Sequence, residues 1–363
     1  MRKFILIAAA LILIAAAVAG MFAFKPKKEN VTVDELDGSL YTQTHTVADY
    51  MAEYKKYAGR YFDGLVNSYD SEDGLPDVCI PGLAGDVPLV PRGVAYFGAK
   101  GWFLISACDP TGKRPCVIFA LNGKTGEFEA QFNLKFAGKD YKGGSSGIGV
   151  SDNNLYIAGE GGKVGYINLS LLYVPKGTVK DVNILGFTDL SENLNGAPVS
   201  YVTVTDGILC AGNCYMNSDG NDVKAGKDHS SVILAFMLKG GNSEAEWKSF
   251  KENKSPDVYA LPESVSAVKC AAIKGDKVFA VTSKGIRSNS DFYIFDADKK
   301  LDTQNSAVYK AFPMTEGFCI RNGYVNLITS SGSEYYNHYS AFFWKNPKSP
   351  SDVMWKFEYS KVK

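Results

Sequence analysis

The sequence is poor in histidine and tryptophan and has no excess of charge of either sign. It holds three histidines, at positions 45, 229 and 338, and four tryptophans among 363 residues. Lys and Arg number 39 and Asp and Glu number 39, so no field of one sign covers the molecule to attract nucleic acid. With so few histidines, the Cys210-x-x-x-Cys214 pair has neither the spacing nor the partners of a zinc site. These shortages disfavour nucleic-acid binding and a structural zinc.

A long apolar run stands at the start of the chain, over residues 4–24. Basic residues flank it on both sides, and its 21 residues match the roughly 20 needed to span a bilayer better than the ~7–15 of a cleaved signal peptide. The small residues Val18-Ala19-Gly20 keep cleavage open, and no Cys follows closely enough for lipid attachment. Without residues 1–28 the remaining chain is mildly acidic. We expect a membrane-anchored extracytoplasmic protein, or a secreted one if the leader is cleaved.

The number of cysteines is odd, seven in total, so at least one is unpaired or bonded to another chain. Cys108 and Cys116 flank a turn-rich loop containing two prolines and a glycine, which brings two strand ends together. The sequence therefore predicts a disulfide between them, while the other cysteines are expected to be structural.

Residues 29–74 follow the apolar run as a linker and one amphipathic helix. The linker is polar to residue 45, and Thr46 can cap the helix, with Asp49 three residues on. Apolar residues then recur at helical spacing: Val47, Tyr50, Met51, Tyr54, Tyr57, Tyr61 and Leu65. We expect this helix to pack across the main domain; the alternative is a tyrosine-lined binding surface.

The rest of the chain, 75–363, indicates an all-β fold made of repeats. Its 36 Gly, 21 Tyr and 21 Phe favour turns and strands. Five segments align at their starts, with spacings of 54, 54, 66 and 50 residues: Arg92–Ala95, Ser146–Gly149, Ser200–Thr203, Ser266–Lys269 and Glu316–Cys319. Repeats of this length are typical of β-propeller blades.

Second and third apolar strands follow each start. The second strands are expected at 102–106, 155–158, 208–211, 278–281 and 325–328, and the third at 117–121, 164–167, 232–236, 292–295 and 341–344. Fourth strands are expected in places, as at 128–134 and 353–359. A single blade cannot bury both faces, so neighbours must cover it in a closed array. The sequence predicts a β-propeller with five blades, or six if residues 75–90 form a degenerate blade instead of a closing strand.

The phrases GVAY…WFLISA…VIFALN and EGFCIRNGYVNLITSSGSEYY resemble secreted or membrane-tethered β-propeller proteins of the quinoprotein, NHL and gluconolactonase-like kind. The resemblance covers about residues 91–359 and concerns repeat style only. It lacks the tryptophan-docking repeat of the quinoprotein dehydrogenases and the carboxylates that hold calcium in the lactonases. It therefore implies a fold and no catalytic residues.

Propeller ligands sit where the starts of the inner strands converge on the axis. The aligned positions there predict one polar funnel: Arg92, Ser146, Ser200, Ser266 and Glu316. Arg92 can hold a carboxylate or phosphate, and Glu316 can act as a base or accept from a sugar hydroxyl. Alternatively, Arg92 and Glu316 pair with each other and join the first and last blades. The two interpretations are compatible.

Other patterns are weaker. Asn217, Asp219, Asn221 and Asp228 resemble a calcium loop, but Asp222 replaces the turn glycine and the closing residue is not Glu. His229 and His338 fall in corresponding loops and could flank one mouth. The glycine-rich run 143–149 lacks the Lys-Ser/Thr of a phosphate loop and indicates close backbone packing near the axis.

Two functions follow from these patterns. The favoured one is a non-enzymatic binding module, held at the membrane through residues 4–24, that recognises a protein, a glycan or a small polar ligand and needs no cofactor. The alternative is a hydrolase or lactonase-like enzyme with an axial metal, calcium in the first place, or with Arg92 and Glu316 in the chemistry. Glycoside hydrolysis is disfavoured because Glu316 stands alone where paired carboxylates are needed.

Overall fold

The computed structural model describes residues 75–80, 89–144, 146–214, 231–253, 255–286, 288–333, 336, 351 and 353–362. The predicted anchor and the predicted amphipathic helix lie outside these residues. The described chain is all-β apart from short helical segments.

Five sheets form the described fold, and each contributes one innermost strand. With strands numbered in chain order, the inner strands are β2 (Val90–Phe97), β7 (Ile148–Val150), β12 (Tyr201–Thr205), β16 (Val268–Lys274) and β20 (Thr315–Arg321). Each inner strand contacts the inner strand of the next sheet, and β20 contacts β2. The ring is closed, so the protein is a five-bladed β-propeller.

Each inner strand leads by a hairpin into a second, antiparallel strand and then a third. The second strands are β3 (Trp102–Cys108), β8 (Asn154–Ala158), β13 (Ile208–Gly212), β17 (Lys277–Thr282) and β21 (Tyr324–Thr329). The third strands are β4 (Val117–Asn122), β9 (Lys163–Asn168), β14 (Val232–Met237), β18 (Ser290–Asp296) and β22 (Val353–Glu358). The fourth strands are β5 (Phe128–Phe136), β11 (Gly186–Asp189), β15 (Asp257–Ala260), β19 (Ala307–Ala311) and β1 (Leu75–Cys79).

The segment before the first blade closes the ring. Strand β1 pairs antiparallel with β22 and becomes the outermost strand of the fifth blade. This confirms the closing strand and excludes the sixth blade for residues 75–79. The fifth blade differs from the prediction in one respect: Val353–Glu358, expected as a fourth strand, pairs directly with β21 and is therefore the third. The predicted third strand at 341–344 lies outside the described residues.

The first blade is larger than its neighbours. Strand β10 (Thr178–Ile184) leaves the second blade and pairs in parallel with β5 along its whole length, and the short β6 (Lys139–Asp140) also pairs with β5. The sequence pattern did not predict this exchange, because a parallel edge strand contributed by the next repeat has no signature of its own. It ties the first two blades together at their outer edge.

The apolar core lies between the blades. Successive side chains of a strand point to opposite faces, so Val94 packs towards the fifth blade and Ala95 towards the second. Apolar clusters fill the interfaces between blades 1 and 2, 2 and 3, 3 and 4, 4 and 5, and 5 and 1. Each blade is thus covered on both faces, as the repeat argument requires.

Helix α1 (Ser243–Glu252) packs against the second and third blades, with Phe250 in contact with Tyr156 and Phe236. Asn242 caps it by accepting a hydrogen bond from the Ala245 amide. Its buried Glu246 accepts hydrogen bonds from the hydroxyl of Tyr156, at 2.9 Å, and from the side chains of Ser151, Asn153 and Asn154. These four donors compensate the burial of the carboxylate without a cation, and they fix the helix to the second blade.

The predicted disulfide is present, since Cys108 and Cys116 are bonded. Asp109 organises the loop between them, accepting from the amide and the hydroxyl of Thr111 and from the amide of Arg114. Cys210 and Cys270 are buried and free, and burial raises the pKa of Cys210 to about 12. Such protonated, enclosed thiols agree with a structural role.

Candidate functional site

The strand register defines which residues of the five blades are equivalent. The last residues that pair across each hairpin turn are Phe97, Ser151, Thr205, Lys274 and Arg321, of which Ser151 directly follows β7. Counting back five residues from each of them gives one position per blade. We call these five residues the axial ring: Arg92, Ser146, Ser200, Lys269 and Glu316.

Four of the five predicted funnel residues, Arg92, Ser146, Ser200 and Glu316, are equivalent in this register. The fifth is not: Lys269, and not Ser266, occupies the position in the fourth blade. The ungapped comparison placed Ser266-Ala267-Val268 beside Ser200-Tyr201-Val202, three residues out of register. The hairpin turns, such as Asp206-Gly207 and Asn322-Gly323, carry the signal that gives the right alignment.

Three members of the axial ring sit at the same irregularity in their strands. The pairing register shifts between Pro91 and Gly93, between Val268 and Cys270, and between Thr315 and Gly317. The residues inside these shifts are Arg92, Lys269 and Glu316. A β-bulge redirects a side chain and is enriched next to functional sites. All three charged residues of the ring are therefore bulge residues.

Arg92 and Glu316 meet where the fifth blade contacts the first. Their closest charged atoms, Nη1 and Oε2, are 3.6 Å apart, and the Glu316 side chain is only 8% exposed. Its other oxygen, Oε1, accepts a hydrogen bond of 2.8 Å from the Ser330 hydroxyl. Both carboxylate oxygens are therefore engaged, and the predicted pairing of the first and last blades is present.

Lys269 adds a second cation to the same region from the fourth blade. Its pKa is raised, chiefly because the Glu316 carboxylate stabilises the ammonium, and Arg92 acts in the opposite direction. Cys214, at the end of the third blade, and Tyr336 also act on Lys269. Charged side chains of blades 1, 4 and 5 thus act on one another electrostatically.

The two serines complete the ring with hydroxyls. Ser146 is exposed and Ser200 is partly buried. The Ser200 hydroxyl accepts a hydrogen bond of 2.9 Å from the Cys214 amide, and its own amide donates to Gly212 O at 2.7 Å. Ser200 therefore joins the ring to the end of β13.

Glycines let the inner strands approach each other directly below the ring. A Cβ on Gly93 would come within 2.6 Å of Gly147 Cα, and one on Gly147 within 2.6 Å of Val202 N. A Cβ on Gly317 would reach Gly93 Cα at 3.4 Å. The predicted close backbone packing is thus present at Gly147 and Gly149, at the end of the run, whereas a Cβ on Gly144 would meet nothing within 4 Å.

The channel is narrow beyond these glycines. A cavity of about 90 Å³ lies further along the chain in β2, β7, β12 and β20, lined by three consecutive residues of each strand, among them Ala95, Gly149 and Val204. Small-molecule sites usually offer about 300–1,000 Å³. A ligand of ordinary size therefore does not fit inside the channel.

Several predicted features lie outside the described residues. They are the calcium-like loop with Asn217, Asp219, Asn221 and Asp228, and the histidines 229 and 338. Within the described residues, no group of three His, Cys, Asp or Glu side chains is arranged to hold a metal ion. No helix in that part of the chain has the length and apolar character to cross a membrane.

The chain matches no protein-family model and no curated protein sequence. Its fold is similar to solved structures. These include the glutaminyl cyclase of Myxococcus xanthus (11% identity, TM-score 0.42, 71% of this chain and 89% of that one). They also include a nidogen/laminin complex, with 7% identity and a TM-score of 0.39 over 67% of this chain and 73% of that one. The computationally designed Ika4 protein has 12% identity and a TM-score of 0.29 over 55% of this chain and 93% of that one. At these values the likenesses carry no argument about activity, and they do not support the quinoprotein, NHL or lactonase families in particular.

Proposed function

We propose that this protein is a non-enzymatic binding module that holds a polar ligand, either a small molecule or a polar group of a glycan or protein, at the axial ring. One observation carries the proposal: five equivalent positions of five blades all bear a charged or hydroxyl side chain at the mouth of a closed propeller. A structural pair explains Arg92 and Glu316 but not Lys269, which belongs to another blade.

The state of Glu316 favours binding over general-base catalysis. A base must have a lone pair within hydrogen-bond reach of the proton it removes. Here Oε1 accepts from Ser330 and Oε2 faces Arg92, so the carboxylate anchors the ring. Hydrolase or lactonase activity remains the second candidate, and the experiment below includes it.

A thermal-shift comparison of the full-length protein tests the proposal. Wild type, Lys269→Gln and Lys274→Gln are screened with one panel of sugars, sugar acids and amino acids. Lys274 is a matched control because it lies on the same strand but pairs with Asp206, at the far end from the ring. We expect at least one compound to stabilise wild type and Lys274→Gln but not Lys269→Gln.

Two results would count against the proposal. If every stabilising compound acts equally on Lys269→Gln, binding does not use the axial ring. If the wild type hydrolyses a chromogenic ester or a lactone and Glu316→Gln does not, while remaining folded by circular dichroism, the enzyme candidate replaces the binding module.

Location outside the cytoplasm, at the membrane through residues 4–24, belongs to the same proposal. It is supported by the 21 apolar residues at the start of the chain and by the disulfide between Cys108 and Cys116, since disulfides persist in oxidising compartments. Deleting residues 1–28 is expected to move the protein from the membrane fraction to the soluble fraction. An unchanged distribution would remove the anchor from the proposal.

A further inference from the structure

The charges of the axial ring do not cancel. Arg92 and Lys269 contribute two positive charges and Glu316 one negative charge, so the ring carries a net charge of +1. Glu316 is shared, since it faces Arg92 at 3.6 Å and also raises the pKa of Lys269. In the described part of the chain, no ion pair of 4.0 Å or less includes Lys269. Glu316 serves both cations, so one positive charge of the ring is left unbalanced.

Two buried polar atoms at the end of the third blade have no hydrogen-bond partner among the described residues. One is Nδ2 of Asn213, a residue that is 1% exposed and whose Oδ1 accepts from the Val232 amide at 2.8 Å. The other is the hydroxyl of Tyr201, which lies against Gly212. Native proteins rarely leave such groups unsatisfied without a bound water, ion or ligand.

Asn213 is tied to the ring through its neighbours. The next residue, Cys214, donates its amide to Ser200 and acts electrostatically on Lys269. An amide nitrogen such as Asn213 Nδ2 can only donate a hydrogen bond. Asn213 itself is too deeply buried to contact a ligand at the ring, so the excess cation is what a ligand with oxygen acceptors would balance.

We propose that the ligand of the axial ring is a small organic monoanion, bound by its carboxylate group. This inference rests on the proposed function and specifies its ligand class. A carboxylate matches the net charge of +1, whereas a phosphate monoester carries about −1.5 to −2 at pH 7. The planar fork of Arg92 suits two carboxylate oxygens. Because the channel below the ring is narrow, the ligand is held at the ring itself.

Matched acid and amide pairs test the inference on the full-length protein. Calorimetry compares acetate with acetamide, lactate with lactamide and glucuronate with glucose, at constant ionic strength, with inorganic phosphate as the dianion. We expect at least one carboxylate to bind with a Kd on the order of 1 mM or below, and its neutral match at least about tenfold more weakly.

Two substitutions should act in opposite directions. Lys269→Gln should weaken carboxylate binding at least about tenfold, as expected for a lost hydrogen bond to a charged group. Glu316→Gln removes the competing anion and should strengthen it several-fold, provided that its far-UV circular dichroism is unchanged. Lys274→Gln should leave the affinity unchanged. If the ring had only a structural role, Lys269→Gln and Glu316→Gln would not change the affinity for carboxylates in opposite directions.

The inference is wrong if no carboxylate binds better than its neutral match, if phosphate binds more tightly than every carboxylate, or if Lys269→Gln binds carboxylate as wild type does. A neutral sugar that binds the wild type at a site sensitive to Ser200→Ala would retain the binding module and reject only its anionic ligand. The proposed function itself fails on a different result: every stabilising compound raises the melting temperature of all ring variants as much as that of the wild type.

Discussion

At the residue scale, Arg92 and Glu316 have two roles, because they line the axial ring and join the last blade to the first. Glu316 is 8% exposed and Arg92 24%, so their interaction is less screened than that of a surface pair. Removal of one partner leaves the other charge partly buried and uncompensated.

A double-mutant cycle measures this contact. Arg92→Ala should lower the free energy of unfolding by about 2 kcal/mol, between the values for exposed and fully buried pairs. The coupling between Arg92→Ala and Glu316→Ala should be about 1 kcal/mol. Urea denaturation measures the loss of stability and the coupling free energy. The exposed pair Lys176–Glu127 is the control, and its coupling free energy should be smaller. A coupling indistinguishable from that of the control would mean that the pair does not hold the ring together.

Asp296 gives a pH-dependent contribution of known sign. It accepts hydrogen bonds from Lys277, opposite it on β17, and from Lys299 at 2.5 Å. These bonds lower its pKa from 3.8 to about 2. A lowered carboxyl pKa stabilises the fold above the unfolded value, and this stabilisation is lost as the pH falls through the folded value. The effect is therefore fully present above about pH 4 and lost towards pH 2.

Carboxyl NMR titration should place the pKa of Asp296 near 2. Asp296→Asn should reduce the slope of stability against pH between about 4 and 2 and should lower stability at pH 7 by the same amount, which is modest because both ion pairs are solvent-exposed. A titration midpoint for Asp296 at its ordinary value would contradict the ion-pair geometry.

At the scale of single elements, the inner strands depend on glycine where they come closest. Gly93 has no positive φ requirement, but a Cβ there would come within 2.6 Å of Gly147 Cα and 2.8 Å of Ile148 N. Backbone atoms of the second blade cannot yield as a flexible side chain can. A Cβ at position 93 would therefore force the first and second blades apart.

Gly93→Ala should lower the free energy of unfolding by about 1–3 kcal/mol, the usual range for overpacking. The matched control is Gly98→Ala in the same blade, whose Cβ would meet only a Tyr96 side-chain atom at 4.0 Å; this change should stay within about 0.5 kcal/mol. Chemical denaturation compares the two variants. Equal effects would show that the inner strands have room to separate.

Strands were easier to predict than their register. Runs such as Trp102–Ser106 and Val232–Phe236 are apolar because blades bury both faces, so their positions follow from composition. The ring position in the fourth blade depends on a bulge and on Ala267, which has a φ of 60°. Neither is visible in an ungapped comparison, which therefore gives Ser266 in place of Lys269. Lys269, the one charged residue in the run VKCAAI, is the sequence signal that marks the ring position.

At the scale of the whole molecule, the fold is held closed by chain segments far apart in sequence. Strand β1 pairs with β22, with Leu75 opposite Lys356 and Cys79 opposite Val353. The closing strand was predictable as one of two alternatives, because residues 75–90 lie just before the first repeat. The parallel pairing of β10 with β5 was not, because nothing in a single repeat shows which blade its edge strand joins.

Closure by β1 leads to a prediction about cooperativity. Deleting residues 75–80 would leave β22 as an unpaired edge and break the only described backbone pairing between the segment before the first blade and the last blade. Unpaired edges promote aggregation, and the fifth blade would lose its outermost strand. The deletion should lower Tm by more than about 10 °C, and the protein should form larger species on size-exclusion chromatography. A control deletion of the same length, residues 30–35 in the polar segment after the apolar run, should change neither measurement. If both deletions melt alike in scanning calorimetry, the propeller does not depend on β1, and contacts between the inner strands must suffice to close the ring.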